Sequence, residues 1–449
     1  MTAFKAYDIR GIYPSEINES FYFKLGVSIT KFLNAKTLLV GFDARPSSKS
    51  LFKALVNGAN ENGVKVSTIG MTGTEVMYFT VGDMGFDAGV MITASHNPKE
   101  YNGLKVVGKG AFPVGEANGL KEIEKLVMDM EEPSAELLNK TPLYDEYDPY
   151  PRFREKINSI VNLSELPNLK VAVDAGNGTG GLVFNKIFKD TALDVTELYF
   201  EPDGTFPNHE ANPTKPENLM DIKNVVKSEN YDLGIALDGD GDRVVFIDDT
   251  GEDSVGYYIF TLLIEHLLNK IPNAKIVHEN RLYWAIDDVI NRNGRATSIE
   301  SKAGHSFIKA KMREFNAEMG GETSSHFFYK EMYYADSSVL TIALILEMMK
   351  KSGKSLRKML SALKSKYFVS GEINFKVNSP DVILNRIKAH YTKLGFEMDE
   401  LDGIAFDKDR DWHVSLRKSN TEPLIRLNVE AKNQELVTKM VKEIESFIE

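Results

Sequence analysis

A serine that leaves a buried strand on a tight polar turn offers its hydroxyl to whatever occupies the space beyond. Thr93-Ala94-Ser95-His96-Asn97-Pro98 is such a place. The apolar run before it, Ala88-Gly89-Val90-Met91-Ile92, reads as a buried strand, and Pro98, without an N–H, ends its pairing. A second stretch, Asp238-Gly239-Asp240-Gly241-Asp242-Arg243, sets three carboxylates at alternate positions between two apolar runs. Three negative charges on one short loop repel unless a cation neutralises them, and oxygen-only ligands suit a hard cation such as Mg²⁺. A calcium-binding helix–loop–helix would need Gly at its sixth position and Glu at its twelfth, where this chain has Arg243 and Asp249. Arg243 is a natural phosphate partner beside the acids.

Three further stretches carry polar chemistry. Ala175-Gly176-Asn177-Gly178-Thr179-Gly180-Gly181 follows a strand and fits the dinucleotide-binding glycine pattern, with an acid, Glu197, at about the expected 20 residues on. It reads either as part of a nicotinamide-dependent oxidoreductase or as a turn that lets a helix pack close to a sheet. Gly320-Gly321-Glu322-Thr323-Ser324-Ser325-His326 clusters carboxylate, hydroxyl and imidazole groups, as a polyol site or a structural polar turn would. Arg417-Lys418-Ser419-Asn420-Thr421-Glu422-Pro423-Leu424-Ile425-Arg426 puts two arginines around a turn whose backbone N–H groups suit a phosphate, the alternative being a hairpin with surface arginines. Lys105 reaches back toward Ser95 or stands in solvent, and His305 caps a helix or lies at the surface.

Strands and helices alternate around these stretches. Helices are expected over 19–35, from Ser47 or Ser48 as cap to about Asn60, over 116–131 and over 337–350. Strands are expected at Thr37–Asp43, Val64–Ile69, Leu169–Asp174 and on both sides of the acidic loop. Gly103 reads as a sharp turn and 132–151 as a linker rich in Pro, Tyr and acids. The alternation implies a largely parallel sheet of α/β type. An apolar strand ending in an Asp/Gly/Ser turn recurs at Asp43, Ser95, Asp174 and Asp238, as in successive similar α/β units. From about Tyr367 a period-two alternation, Ile373-Asn374-Phe375-Lys376-Val377, indicates a half-exposed antiparallel sheet with helices on one face.

The chain has 449 residues, room for several cores and about three domains at ordinary domain size. A net charge of −11 argues against a general nucleic-acid binder. The absence of cysteine excludes disulfides and thiolate chemistry. The longest apolar stretch, Val339 to Met349, is interrupted by Thr341 and Glu347 and is too short for a membrane span. The opening residues lack a secretory signal, so a cytoplasmic location and no membrane partner are expected.

Taken together, these motifs resemble the α-D-phosphohexomutase superfamily along essentially the whole chain. Within it the sequence is most similar to the phosphomannomutase/phosphoglucomutase group. The resemblance implies a heart-shaped molecule with a central cleft: three similar mixed-sheet α/β domains and a smaller C-terminal α+β domain. These would be residues 1–148 with the phosphoserine loop, 149–250 with the metal loop, 251–366 with the sugar-specificity loop, and 367–449 with the phosphate loop. It implies a phosphohexose mutase that interconverts mannose 6-phosphate and mannose 1-phosphate, and glucose phosphates as well, through phosphoserine at Ser95 and a hexose 1,6-bisphosphate. A phosphoglucosamine mutase is the alternative. Implied ligands of a single Mg²⁺ are Ser95, Asp238, Asp240 and Asp242. Arg10, Lys105, Arg243 and His326 would line the reaction centre with Tyr7, and Lys105 and His326 are the candidates for proton transfer. Glu322 and Ser324 would hold sugar hydroxyls, and Arg417, Ser419, Asn420, Thr421 and Arg426 the non-reacting phosphate, with Arg281, Lys302 and His305 as looser matches. A monomer or weak homodimer acting on phosphohexoses, without nucleic acid, is expected. Thr93 fits the mannose/glucose group, whereas Thr323 and Ser325 depart from its common Gly-Glu-Met-Ser-Gly-His loop.

Overall fold

The computed structural model describes residues 3–228, 230–419 and 424–448. They form two compact units, each made of two separate stretches of chain: 1–253 with 326–356, and 254–325 with 357–449.

In the first unit, the strand Ala88–Ile92 is buried along its whole length. It pairs in parallel with Thr37–Phe42, which pairs in parallel with Lys65–Met71. On its other side Tyr101–Gly108 runs antiparallel and is followed by Ile9–Ile12. The sheet is therefore mixed rather than largely parallel. The helices Glu19–Phe32 and Ser48–Glu61 cover it with Tyr22, Leu25, Ile29, Leu51 and Leu55. The first helix is capped by Asn18, whose side chain accepts from Phe21 N. Ser47 stands at the start of the second without a side-chain capping bond, and the Ser48 hydroxyl instead donates to Asp43 Oδ1 at 2.6 Å.

Several local expectations fail here. Gly103 is not a turn: it lies inside Tyr101–Gly108 opposite Arg10, where a Cβ would strike the carbonyl oxygens of Ile9 and Thr93. Its value is close backbone approach. The helix foreseen over 116–131 is broken at Gly119, and its α-helical part is Leu120–Met128. The supposed linker contains the helix Ala135–Asn139, an edge strand Asp145–Glu146 on Lys65–Met71, and the start of Tyr150–Ile160.

A second sheet of the same unit runs in the order Val244–Ile247, Leu233–Leu237, Lys170–Asp174, Asp194–Leu198. Leu233–Leu237 is parallel to Lys170–Asp174 and antiparallel to Val244–Ile247, so the acidic loop is the connection of a buried hairpin. The unit also contains the hairpin Phe327–Tyr329 with Ala335–Asp336 and the helix Ser338–Ser352, capped by Ser337. The third domain expected from sequence is thus divided at 325/326 and 356/357 between the two units.

The second unit has three parallel strands in the order Thr297–Ser301, Lys275–Glu279, Met319–Gly321. The helices Gly256–Lys270, Trp284–Asn293 and His305–Phe315 belong to it. Its C-terminal part is antiparallel, in the order Phe368–Val369, Leu424–Ala431, Trp412–Lys418, Ile404–Lys408, with Ile373–Lys376 also on Leu424–Ala431. Pro380–Lys393 and Gln434–Glu445 supply Ile387, Tyr391, Val437 and Ile444 to its core. The two parts are tied by buried Glu430, which accepts from Tyr257 Oη and, at 3.1 Å each, from the backbone N–H groups of Tyr283 and Trp284.

Candidate active site

Ser95 leaves its strand with φ +51°, a left-handed conformation that costs a non-glycine residue about 1–3 kcal/mol and persists only where surroundings enforce it. The enforcing group is Arg45, fully buried. Its two terminal nitrogens donate to four carbonyls of the serine loop: Ser95 O at 2.9 Å, Asn97 O at 2.6 Å, Pro98 O at 2.6 Å and Tyr101 O at 2.8 Å. Asp43 Oδ2 holds its Nε at 3.1 Å. Arg10 binds the loop from the other side, through Asn97 Oδ1 at 2.5 Å, and is itself held by Asp8 at 2.8 Å. Tyr7 is half-buried two residues before the strand Ile9–Ile12 rather than in it. The Ser95 hydroxyl has His96 Nδ1 at 3.1 Å. Burial, and then the cations Arg243 and Arg10, push this imidazole well below the usual histidine range, so it is neutral.

The Ser95 hydroxyl donates to Asp238 Oδ2 at 2.9 Å, across 143 residues of sequence. Asp238, Asp240 and Asp242 are all buried, and one oxygen of each lies within 4.8 Å of the others. Backbone N–H groups of Asp242 and Arg243 fix Asp238 Oδ1 at 3.0 and 3.1 Å. Burial and the two neighbouring carboxylates push Asp238 well above the usual range. Asp242 is held well below it, because Lys105 and His326 outweigh its burial. Asp240 accepts from the Thr74 hydroxyl at 2.5 Å and from Lys105 Nζ at 2.7 Å on Oδ2, while its buried Oδ1 has no hydrogen-bond partner among the described residues. An all-oxygen donor set with an orphaned carboxylate oxygen fits a hard divalent cation.

Lys105 also bonds Asp242. Burial works against its charge, but the Asp240 and Asp242 carboxylates win and hold it well above the usual lysine range. Its ammonium group thus has two carboxylate partners. His326 Nε2 is different. It lies 3.0 Å from Asp242 Oδ1 and 3.2 Å from Arg243 Nε. Protonated, it donates to the carboxylate; unprotonated, it accepts from the guanidinium. Either state has a partner.

The glycine pattern at Gly176–Gly181 serves this loop. A Cβ on Gly178 would sit 2.5 Å from Gly239 O, and Thr179 N donates to that same oxygen at 3.0 Å. Gly239 in turn is pressed on the serine loop, where its Cβ would meet Ser95 O at 2.6 Å. Glu197 is taken up by Asn185 at 2.9 Å. Of the two readings of this pattern, the close-packed turn is the one these contacts describe.

In the second unit, Glu322 is buried and accepts from Gly304 N at 2.6 Å at the start of the helix His305–Phe315. His305 is buried on that helix, Ser324 is half-buried and Lys302 is exposed. Thr323, the departure from the common loop, gives both its N–H and its hydroxyl to Glu279 Oε1 at 2.6 Å. Arg281, buried, is gripped by Glu279 and donates to Glu372 at 2.6 Å. Arg417 and Arg426 are direct cross-strand partners beside Ser419. Asn420 and Thr421 lie outside the described residues.

Comparison with known proteins agrees along the whole length. Models of the phosphoglucomutase/phosphomannomutase α/β/α domains I, II and III match residues 1–134, 150–251 and 255–367, and that of the C-terminal domain matches 372–446. The chain belongs to the phosphoglucomutase/phosphomannomutase family. A phosphomannomutase of Vibrio cholerae is 38% identical over 100% of this chain and 98% of its own. Phosphohexose mutases of Xanthomonas campestris are 40% identical over 96% of this chain and 95% of theirs. A family member of known crystal structure from Burkholderia thailandensis superposes with TM-score 0.87 and 28% identity, covering 99% of this chain and 96% of that one. The four sheets are accordingly those of the family's four-domain architecture, three similar α/β domains and a smaller C-terminal one.

Within this phosphohexose mutase, sequence reading passed over Asp43 and Arg45, Thr74, His96, Glu279 and Glu372. Only the first pair left a signal, Asp43-Ala44-Arg45 at the exit of a buried strand. Thr74 and Glu372 act through partners 166 and 91 residues away, and His96 and Glu279, whose partners Ser95 and Arg281 are sequence neighbours, carry no pattern that marks the contact.

Proposed function

We propose that the chain is a phosphomannomutase that interconverts mannose 6-phosphate and mannose 1-phosphate and also accepts glucose phosphates. The observation that carries this reading is the 2.9 Å contact between the Ser95 hydroxyl and the buried Asp238, at the heart of an all-carboxylate cluster. In it, phosphoserine 95 gives its phosphoryl group to the free 1- or 6-hydroxyl of a phosphohexose: the P–O bond to Oγ breaks as one to the sugar oxygen forms, and Oγ keeps the bonding pair and takes up a proton to regenerate the hydroxyl that donates to Asp238. His326 accepts the hydroxyl proton at Nε2, where Asp242 awaits the protonated ring. Arg243, Arg10 and protonated Lys105 supply positive charge around the moving group. Asp238, Asp240, Asp242 and the phosphoserine would hold Mg²⁺, which when bound adds charge neutralisation and orientation. Arg417 and Arg426, with Ser419, Asn420 and Thr421, hold the non-reacting phosphate, and Arg281, Lys302 and His305 assist. Glu322 and Ser324 meet sugar hydroxyls. The hexose 1,6-bisphosphate then turns over and presents its other phosphate to Ser95.

Because Thr323 is engaged by Glu279, its difference from the common loop carries no argument for the phosphoglucosamine alternative. The reading keeps domains at 1–148, 149–250, 251–366 and 367–449, supported by the spans of the family matches. It has the enzyme acting in the cytoplasm as a monomer or weak homodimer. Among the described residues no helix is long and apolar enough to cross a membrane.

Ser95→Ala should lower turnover by at least about a thousandfold with the circular dichroism spectrum intact. Phosphopeptide mapping of the wild type after incubation with glucose 1,6-bisphosphate should find the phosphoryl group on Ser95. Normal turnover by the variant would overturn the proposal, and a coupled assay across mannose, glucose and glucosamine phosphates ranks the sugars.

A further inference from the structure

Arg417 and Arg426 face each other directly across an antiparallel strand pair. Like charges so placed repel, and a sheet tolerates them only with an anion nearby. One such anion is Glu372, at the entry to the strand Ile373–Lys376, turned there by Gly371 with φ +68°, and a second is Asp402, whose Oδ2 lies 4.0 Å from Arg417 Nε. Glu372 Oε1 accepts from Arg426 at 3.1 Å, and its Oε2 accepts from Arg281 at 2.6 Å and lies 4.0 Å from Arg417. Yet, among the described residues, the buried Nε atoms of Arg417 and Arg426 have no hydrogen-bond partner. Three carboxylates, Glu279, Glu372 and Asp402, thus stand about the three guanidinium groups, and Glu372 is the one that reaches all three.

We propose that Glu372 is a resident counter-anion of the phosphate site, a positioning residue that holds the three arginines together and weakens their grip on phosphate. The inference rests on the proposed phosphate role of Arg417. A mutase must release a phosphate from these arginines each time its bisphosphate turns over. Grip that is equal in every bound state lowers KM without raising kcat, and past a point it slows release. A carboxylate already among the arginines shares their donors with the incoming dianion and takes them back as it leaves.

The test is calorimetric titration with inorganic phosphate, together with steady-state kinetics, on the wild type, Glu372→Gln and Glu372→Asp. Removing the charge at constant shape should tighten phosphate binding and lower KM by about three- to tenfold, with a fall in kcat. Glu372→Asp, which keeps the charge, should stay within about twofold of the wild-type phosphate affinity. A brace with no electrostatic role would instead raise KM in the Gln variant. Phosphate binding no tighter than wild type overturns the proposal. Should Glu372→Gln fail to fold, Glu372→Ser removes the same charge, leaves room for water, and carries the same expectation. Arg417→Ala run alongside separates the two levels. If it leaves phosphate binding unchanged, the phosphate site is misassigned and this inference goes with it. If it abolishes binding while neither neutral variant tightens it, only the role of Glu372 falls.

Discussion

Gly239→Ala tests whether the serine and acidic loops act as one rigid body. A Cβ built at residue 239 lies 2.6 Å from Ser95 O, where real Cβ atoms essentially never come within 3.0 Å and ordinary contact begins at 3.4 Å. The loops must therefore part by roughly 0.4–0.8 Å. Neither side yields easily. Ser95 O is bonded to Arg45 at 2.9 Å, while Gly239 N donates to Ala211 O at 3.1 Å and its carbonyl accepts from Thr179 N at 3.0 Å. The displacement falls on the Ser95–Asp238 contact, which at 2.9 Å has little slack before it ceases to be a hydrogen bond. Overpacking of this kind costs about 1–3 kcal/mol, within the roughly 5–15 kcal/mol of a typical fold, so the variant should fold. Turnover should drop by about a hundredfold, as for a misplacement approaching 1 Å at a reacting group. Initial rates with mannose 1-phosphate in a coupled assay, with circular dichroism as the folding check, measure this. Gly108→Ala is the control, since its Cβ would meet only Leu33 Cδ2 at an ordinary 3.5 Å. A Gly239→Ala enzyme within about threefold of wild-type turnover would refute the reasoning.

Two other perturbations have definite signs. Asp240→Asn keeps the shape that receives the Thr74 hydroxyl but removes a charge from the cluster. The Mg²⁺ concentration for half-maximal activity should rise more than about tenfold, and an unchanged metal response would reassign the loop. Burial pushes Glu430 up to about 7 from 4.5, against the bonds from Tyr257 and two backbone N–H groups. The folded state thus keeps a proton that the unfolded chain has shed, so the stability contributed by this group is fully present below 4.5 and is lost as pH rises toward 7, by on the order of 3 kcal/mol. Both tryptophans, Trp284 and Trp412, lie in the second unit, so fluorescence-detected urea unfolding reports it selectively. The difference between wild type and Glu430→Gln should shift toward the variant between pH 5 and pH 8; equal differences at both pH values would count against a buried, proton-holding carboxyl.

What could be read from the sequence was what repeats at short range. The strand before Ser95 is a continuous apolar run stopped by a proline-containing turn, and the acidic loop announces itself by charge repulsion alone. The distance between them is the fold's contribution. Arg45 illustrates the limit: its carbonyl partners lie 50 to 56 residues away, and nothing about an arginine in a polar turn says that it will be wholly buried. Gly103 shows another: a glycine in a strand and a glycine in a turn look alike until the neighbouring backbone is known. The bond from Arg281 to Glu372 spans 91 residues and two sheets, and Glu372 carries no local pattern at all.

The interleaved make-up of the two units has a practical corollary. Because residues 326–356 complete the body begun by residues 1–253, and residues 254–325 are completed by 357–449, no single cut in the gene or the polypeptide liberates either body intact. A truncation ending near residue 367 would keep Tyr257 and Trp284 while discarding Glu430, which they embrace. Fragment complementation, circular permutation and split-reporter designs on this scaffold must therefore respect both junctions of the inserted segment.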